Sequence, residues 1–407
     1  NRRDDLSVGR CRLSTLWERS VRIVRIPFLG WAVCVLIGLD VHAHDIPFVP
    51  PVYNYTTAMY GGGNQNWAVA QGANGVMYIG NNNGLLCFDG VNWELHRLPN
   101  HLSVKSLFVD TAARPERIYV GSFEEFGYFT ADAAHRLTYH SLKPLVKDYL
   151  FRNDEIWTIH KVGTVIYFQS FSSYFAYRPT DGLIRHARPY PAPLYFFEAG
   201  GELVSQLIND DFYRFNENGK AERLFERKQV GDDDIVSVLP FGREWLLVSS
   251  QHGFFIFDPG THSVCPWSTD IDAELRTAIV NRAVCTHDST YIVGTLNKGL
   301  FAIGRDGTKR WHLHRQNGLN NNTVLGLFVD RDHHVWAALD NGISLVHTRS
   351  ELSFFQPDGI QLGLVEEMLF YDGRLYLATN QGVYRSSGVN GQMDRLPGFD
   401  TQSWFIR

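Results

Sequence analysis

Four consecutive residues, Asn64-Gln65-Asn66-Trp67, set amide donors and acceptors beside an indole ring. That grouping suits a ligand rich in hydroxyl groups, which needs paired donors and acceptors and a flat apolar surface to stack on. Comparable groups recur in short turns along the chain: Asn82-Asn83 after Asn81, Phe123-Glu124-Glu125-Phe126, Phe171-Ser172-Ser173, Asp210-Asp211 after Asn209, Gln251-His252, Asn297-Lys298, Asp340-Asn341 and Asn380-Gln381. Tight turns select Asn, Asp and Gly for another reason, their tolerance of positive φ, so a structural role competes with binding at each position. The turns offer neither a basic cluster that would demand sulfated or uronic sugars nor one dominant aromatic platform.

Catalysis has less support. Glu124 and Glu125 are adjacent, and neighbours on a strand point to opposite faces, so they make a poor acid/base couple for one bond. Asp232-Asp233-Asp234 and Asp270-Ile271-Asp272 read as solvated links between repeats, with calcium binding as the alternative. Asp332-His333-His334 falls in a hairpin on the opposite rim and reads as turn chemistry. No H-x-x-x-H, C-x-x-C, G-x-S-x-G or phosphate-binding glycine loop occurs in the chain. The expectation is therefore no catalytic residue, no metal and no cofactor.

These turns must be carried by strands. In the stretch 61–98, four alternating apolar runs at 67–71, 76–80, 85–89 and 93–98 are divided by Gly/Asn turns. Taking the end of the second run as a mark, the pattern recurs at Gly80, Gly121, Gln169, Ser205, Ser249, Gly294, Ala338 and Ala378. The spacings of 36 to 48 residues, with four strands per unit, are the signature of an all-β β-propeller. Units are expected at 61–98, 103–142, 154–189, 194–226, 234–267, 281–316 and 323–355, followed by an eighth from about 363. The weakest match, 194–226, takes Glu217-Asn218-Gly219 as one of its turns. The reading is a seven-bladed ring over 61–357, with 358–407 opening a further blade of a second propeller; an eight-bladed ring and an unrelated β-sandwich are the alternatives. Residues 44–60, with three prolines before a tyrosine-rich run, form an extended lead-in that can add an outer strand and close the ring. The chain reads as stopping within strand-forming sequence, and its first residue, Asn1, reads as the start of a fragment.

The N-terminal 43 residues stand apart, with seven arginines, no lysine, and the apolar run IPFLGWAVCVLIGL. This reads as an export signal cleaved after Ala43, with an uncleaved membrane anchor as the alternative. Without it, 31 basic residues face 39 acidic ones, a net charge of −8, which disfavours nucleic acid. The exported part keeps Cys87, Cys265 and Cys285 at no metal-like spacing. They read as buried small hydrophobes, with a Cys265–Cys285 disulfide as the alternative.

The blocks GGNQNW, GVMYIGNNNGLLCFDGVNW, RIYVGSFEEFGYF and EIWTIHKVGTVIYFQSFSSYFAY, in that order, resemble the two-component-regulator-type propellers of Bacteroidetes membrane regulators. The resemblance is nearest to those ending in a three-tyrosine domain, a membrane helix and a LuxR-type helix-turn-helix, with the hybrid two-component sensors as cousins. It is close over 45 to about 180 and generic beyond. It implies a periplasmic, inner-membrane-associated sensor region tied to the control of glycan uptake. The three-tyrosine domain, second membrane segment and kinase or DNA-binding part have no counterpart in these residues, so signal output is expected from downstream domains of the same polypeptide. The partners implied are an oligosaccharide ligand and those domains, with a homodimer left open. A secreted lyase or glycosidase and a non-catalytic protein-interaction scaffold are the competing classes.

Overall fold

The computed structural model describes residues 48–407 except 135, 217–219, 356, 358–359 and 388–391. The export signal, its cleavage point, the start of the lead-in and the Glu217-Asn218-Gly219 turn lie outside the described residues. The chain forms a β-propeller. The described residues contain eight antiparallel four-stranded sheets.

Blade one comprises Asn66–Gln71, Met77–Asn81, Gly84–Phe88 and Trp93–His96, each end within two residues of the sequence expectation. Its two middle strands are buried along their whole length, because the sheet is covered by a neighbour on each face. The innermost strands of seven sheets are Asn66–Gln71, Ser106–Asp110, Thr158–Val162, Pro193–Ala199, Ile235–Phe241, Val280–Cys285 and Val324–Val329. They contact one another in chain order, and the last contacts the first.

The core therefore lies in seven seams between sheets, each filled by its own apolar cluster. Between blades two and three, Tyr119 and Phe126 pack on Phe168 and Phe175, all four fully buried. Each such ring contributes roughly 2–3 kcal/mol by leaving water. The small residues at the register marks have a packing cause. A methyl group on Gly121 would stand 2.3 Å from Ser106 Oγ and 2.5 Å from Ile156 Cγ2, and one on Gly80 would stand 2.8 Å from the Val104 carbonyl oxygen.

Blade seven takes its outer strand from the lead-in. Val52–Tyr55 pairs antiparallel with Ile343–Val346, and Tyr55 stacks on Trp336 with centroids 5.7 Å apart. The lead-in is not extended throughout, since Thr57–Tyr60 forms one helical turn before the chain enters blade one. The eighth sheet, Val365–Tyr371, Arg374–Thr379, Gly382–Ser386 and Met393–Arg395, has a smaller cluster around Leu377 and Tyr384. Met368, Phe370 and Tyr371 on its first strand are exposed. Cys285 carries a free thiol, so a Cys265–Cys285 bridge does not form, and Cys87 is free and buried.

Candidate ligand site at the mouth of the ring

Most innermost strands begin with a β-bulge, an extra residue that re-aims its side chain. In blades one, six and seven the bulged residues are Trp67, Asn281 and Leu325; in blades four and five they are Leu194 and Val236. Lys105 and Trp157 occupy the equivalent place ahead of blades two and three, their N–H groups donating to the Gly121 and Gln169 carbonyls at 2.8 Å.

These side chains meet. Lys105 Nζ lies 3.4 Å from the centroid of the Trp67 ring and 5.6 Å from that of Trp157, and 3.7 Å from Glu155 Oε1. Trp67 meets Trp157 edge to face at 5.9 Å, Trp157 stacks on Phe171 at 5.6 Å, and Phe171 meets Tyr195 at 5.4 Å. The Arg282 guanidinium covers Tyr195 at 4.8 Å. Two of these contacts skip a blade: Trp67 to Trp157 passes over blade two, and Tyr195 to Arg282 passes over blade five. Only side chains at the ring's axis can do that.

Blade one and the turn of blade seven orient the first indole. Trp67 Nε1 donates to Asn82 Oδ1 at 2.7 Å, the Asn82 amide donates to Gln65 Oε1 at 2.9 Å, and the Gln65 amide donates to Asp340 Oδ1 at 2.6 Å. Asp154, fully buried, holds the Phe171 turn. Its carboxylate accepts from Ser172 Oγ at 2.6 Å, Ser173 Oγ at 2.8 Å, Tyr149 OH at 2.9 Å and the Arg152 N–H at 3.0 Å. Burial alone would raise its pKa, and these hydrogen bonds outweigh that and hold it below the ordinary value. Burial lowers the Lys105 ammonium, with Glu155 opposing the shift. On the inner strand of blade three, burial pushes His160 down to about 4, with the Arg282 charge adding to the shift, so the imidazole is neutral at pH 7.

Among the sequence candidates, Gln65, Trp67, Asn82, Phe171 and Asp340 are brought together here. Asn66 is fully buried, with its amide given to the Tyr60 hydroxyl and the Asn64 and Gly342 carbonyls, and so presents no surface to a ligand. The Asn83 N–H is held by buried Asn81. Glu124, at positive φ in the turn before the strand, accepts from the Asn153 N–H, while Glu125 turns onto Tyr139 and Ser141. Phe123 stays exposed, bridged through its backbone to Glu155. Asp210 caps the Asp211 N–H, and Asp211 pairs with Arg223. His252 faces Asp233 at 3.3 Å. Asn297 and Lys298 are tied to the carbonyls of Thr277 and Glu274, and Asn341 gives its carbonyl to Asn320. Lys105, Trp157, Tyr195 and Arg282 were absent from the sequence candidates. They supply the aromatic platform and the cations that the turns alone did not offer.

The blades surround an axis whose mouth carries aromatic side chains. No protein-family model matches the chain, and no curated protein matches it. Solved structures share its fold. The extracellular domain assigned to the hybrid two-component system BT3049 of B. thetaiotaomicron is similar with a TM-score of 0.64 at 14% identity, over 86% of this chain and 49% of that one. That assigned to BT4673 of the same organism is similar with a TM-score of 0.58 at 14% identity, over 86% and 53%. Virginiamycin B lyase from Staphylococcus aureus is similar with a TM-score of 0.57 at 11% identity, over 74% and 99%. The chain thus spans about half the length of the two sensor domains.

Proposed function

We propose that this chain is the ligand-sensing periplasmic region of a membrane-bound regulator, either a helix-turn-helix protein or a hybrid two-component sensor. Its ligand is a hydroxyl-rich oligosaccharide taken at the mouth of the ring. The likeness in fold to extracellular sensor domains supports the sensing role. One observation carries the ligand reading: three aromatic rings from the openings of blades one, three and four and the raised Phe171 form a continuous arc, edged by the Gln65 and Asn82 amides. Pyranose rings stack on such an arc while their hydroxyls pair with amides and with the Lys105 and Arg282 cations.

In this reading residues 1–43 direct export, 44–60 lead in and close the ring, 61–357 form it, and 358–407 open a further blade. Binding shifts a conformational equilibrium only through a difference in affinity between its states, and downstream domains of the same polypeptide read that shift. The likeness to virginiamycin B lyase keeps a propeller enzyme as the second reading. Calorimetry of the purified chain against a panel of neutral oligosaccharides, followed by chromatography of the sugars, tests both. Saturable binding with intact sugar is expected. Cleaved sugar moves the chain to the enzyme class, and an absence of binding across the panel removes the oligosaccharide reading.

A further inference from the structure

The face opposite the mouth carries two adjoining cavities, of about 630 and 540 Å³, across blades five to seven. Each has the size of a small-ligand pocket. They share Thr286, His287 and His333, so together they form one groove with a ledge in its middle. The ledge is flat: His287 from the hairpin of blade six and His333 from that of blade seven stack at 4.9 Å and 10°.

The charged groups of the groove differ in how free they are to meet a ligand. The acidic members are spent on their own hairpins. Asp288 accepts from Thr286 Oγ1 at 2.5 Å and from the Thr290 N–H. Buried Asp330 accepts from the N–H groups of Asp332 and His334 and from Trp336 Nε1. Three guanidinium groups remain. Arg310 pairs with Asp306 at 3.1 Å, Arg305 lies over the Phe241 ring at 4.8 Å, and Arg349 is exposed with no ion pair among the described residues. Trp311, half-buried, lines the same cavity as Arg310 and Arg349.

We propose that this groove is a second binding site, for short oligosaccharides bearing carboxylates. Guanidinium forks match planar carboxylates two hydrogen bonds at a time, and the histidine ledge and Trp311 offer flat surfaces to sugar rings. A long polyanion such as nucleic acid fits poorly, because the exported part has a net charge of −8. This site does not depend on the mouth.

Calorimetry of the full chain at low salt, with trigalacturonate and maltotriose as probes, is the test. Trigalacturonate binds, maltotriose binds at least tenfold more weakly, and Arg349→Gln weakens trigalacturonate roughly tenfold. Arg349 is exposed, so the variant folds; Trp67→Ala, at the other face, leaves trigalacturonate binding unchanged. Equal affinity for the two probes, no binding of trigalacturonate, or an unchanged Arg349→Gln variant overturns the proposal. Loss of trigalacturonate binding in Trp67→Ala also overturns it, by moving the acidic ligand to the mouth.

Discussion

The two halves of the mouth share a backbone and differ in what it carries. Blades one to three open with Trp67, Lys105 and Trp157, and blade four follows its bulged Leu194 with Tyr195; blades five and seven open with Val236 and Leu325, and blade six turns the Asn281 amide onto the carbonyls of Val324 and Leu325. The bulge that aims these side chains recurs in both halves, so the scaffold does not explain the difference. Side-chain identity at the repeated position, and in blade four at the residue after it, does, as does the support beneath it. The aromatic half rests on two polar anchors, Asp154 under Phe171 and the Gln65–Asn82 pair beside Trp67. A repetitive fold thus acquires its candidate site where the repeat is broken.

Removing the deepest anchor breaks the comparison most severely. Asp154→Ala leaves Tyr149, Ser172, Ser173 and the Arg152 N–H without the fully buried acceptor they share. A loss of about 3 kcal/mol is expected in urea unfolding, whereas Asp340→Ala, which frees one amide, costs under about 1 kcal/mol. The pH dependence has a fixed sign. The folded-state pKa of Asp154 is depressed, so its contribution is complete above the unfolded value, about 4, and is lost as pH falls through the folded value. Wild type therefore loses stability below about pH 4 more steeply than the variant. Matching urea midpoints for Asp154→Ala and wild type would show that the anchor bears no load.

A paired substitution sharpens the contrast between the halves. Trp157 touches Trp67, Phe171 and Lys105, and Trp157→Ala removes the middle of the arc. For whichever neutral oligosaccharide binds, affinity should fall about tenfold to thirtyfold, the equivalent of about 1.4–2 kcal/mol. Val236→Ala, at the same position of blade five, should leave affinity within about twofold of wild type. Equal losses from both would spread the site around the whole mouth.

The ring was legible from sequence because each blade repeats the same physical demands. Alternation marks the strands, Gly and Asn mark the turns, and the small residues at Gly80, Gly121 and Gly294 mark where the next blade presses in. The candidate site was legible at Gln65, Trp67, Asn82, Phe171 and Asp340, but not at Lys105, Trp157, Tyr195 or Arg282. Trp157 and Lys105 hold the same place as Trp67, but Trp67 precedes its register mark by 13 residues, Trp157 by 12 and Lys105 by 16. The hairpin between differs in length from blade to blade, so linear spacing scrambles a register that pairing restores. Asn66 and Asn82 show the converse limit. Both are amides near one turn, yet one is a buried strut and the other faces the indole, and sequence assigns them alike.

The smallest effect tests whether orientation, rather than presence, of the first indole matters. In Asn82→Ala, Trp67 Nε1 loses its acceptor and Gln65 loses a donor, while the ring stays under Lys105. Both groups are part-buried, so stability should fall by about 1 kcal/mol or less and sugar affinity by about threefold. Asn82→Asp separates the two hydrogen bonds. Its carboxylate still accepts from the indole N–H but no longer donates to Gln65, so affinity should recover if the indole contact is what counts. If Asp fails where Asn succeeds, the relay through Gln65 to Asp340 sets the ring, and the plain half of the mouth then shapes the aromatic half through blade seven's turn.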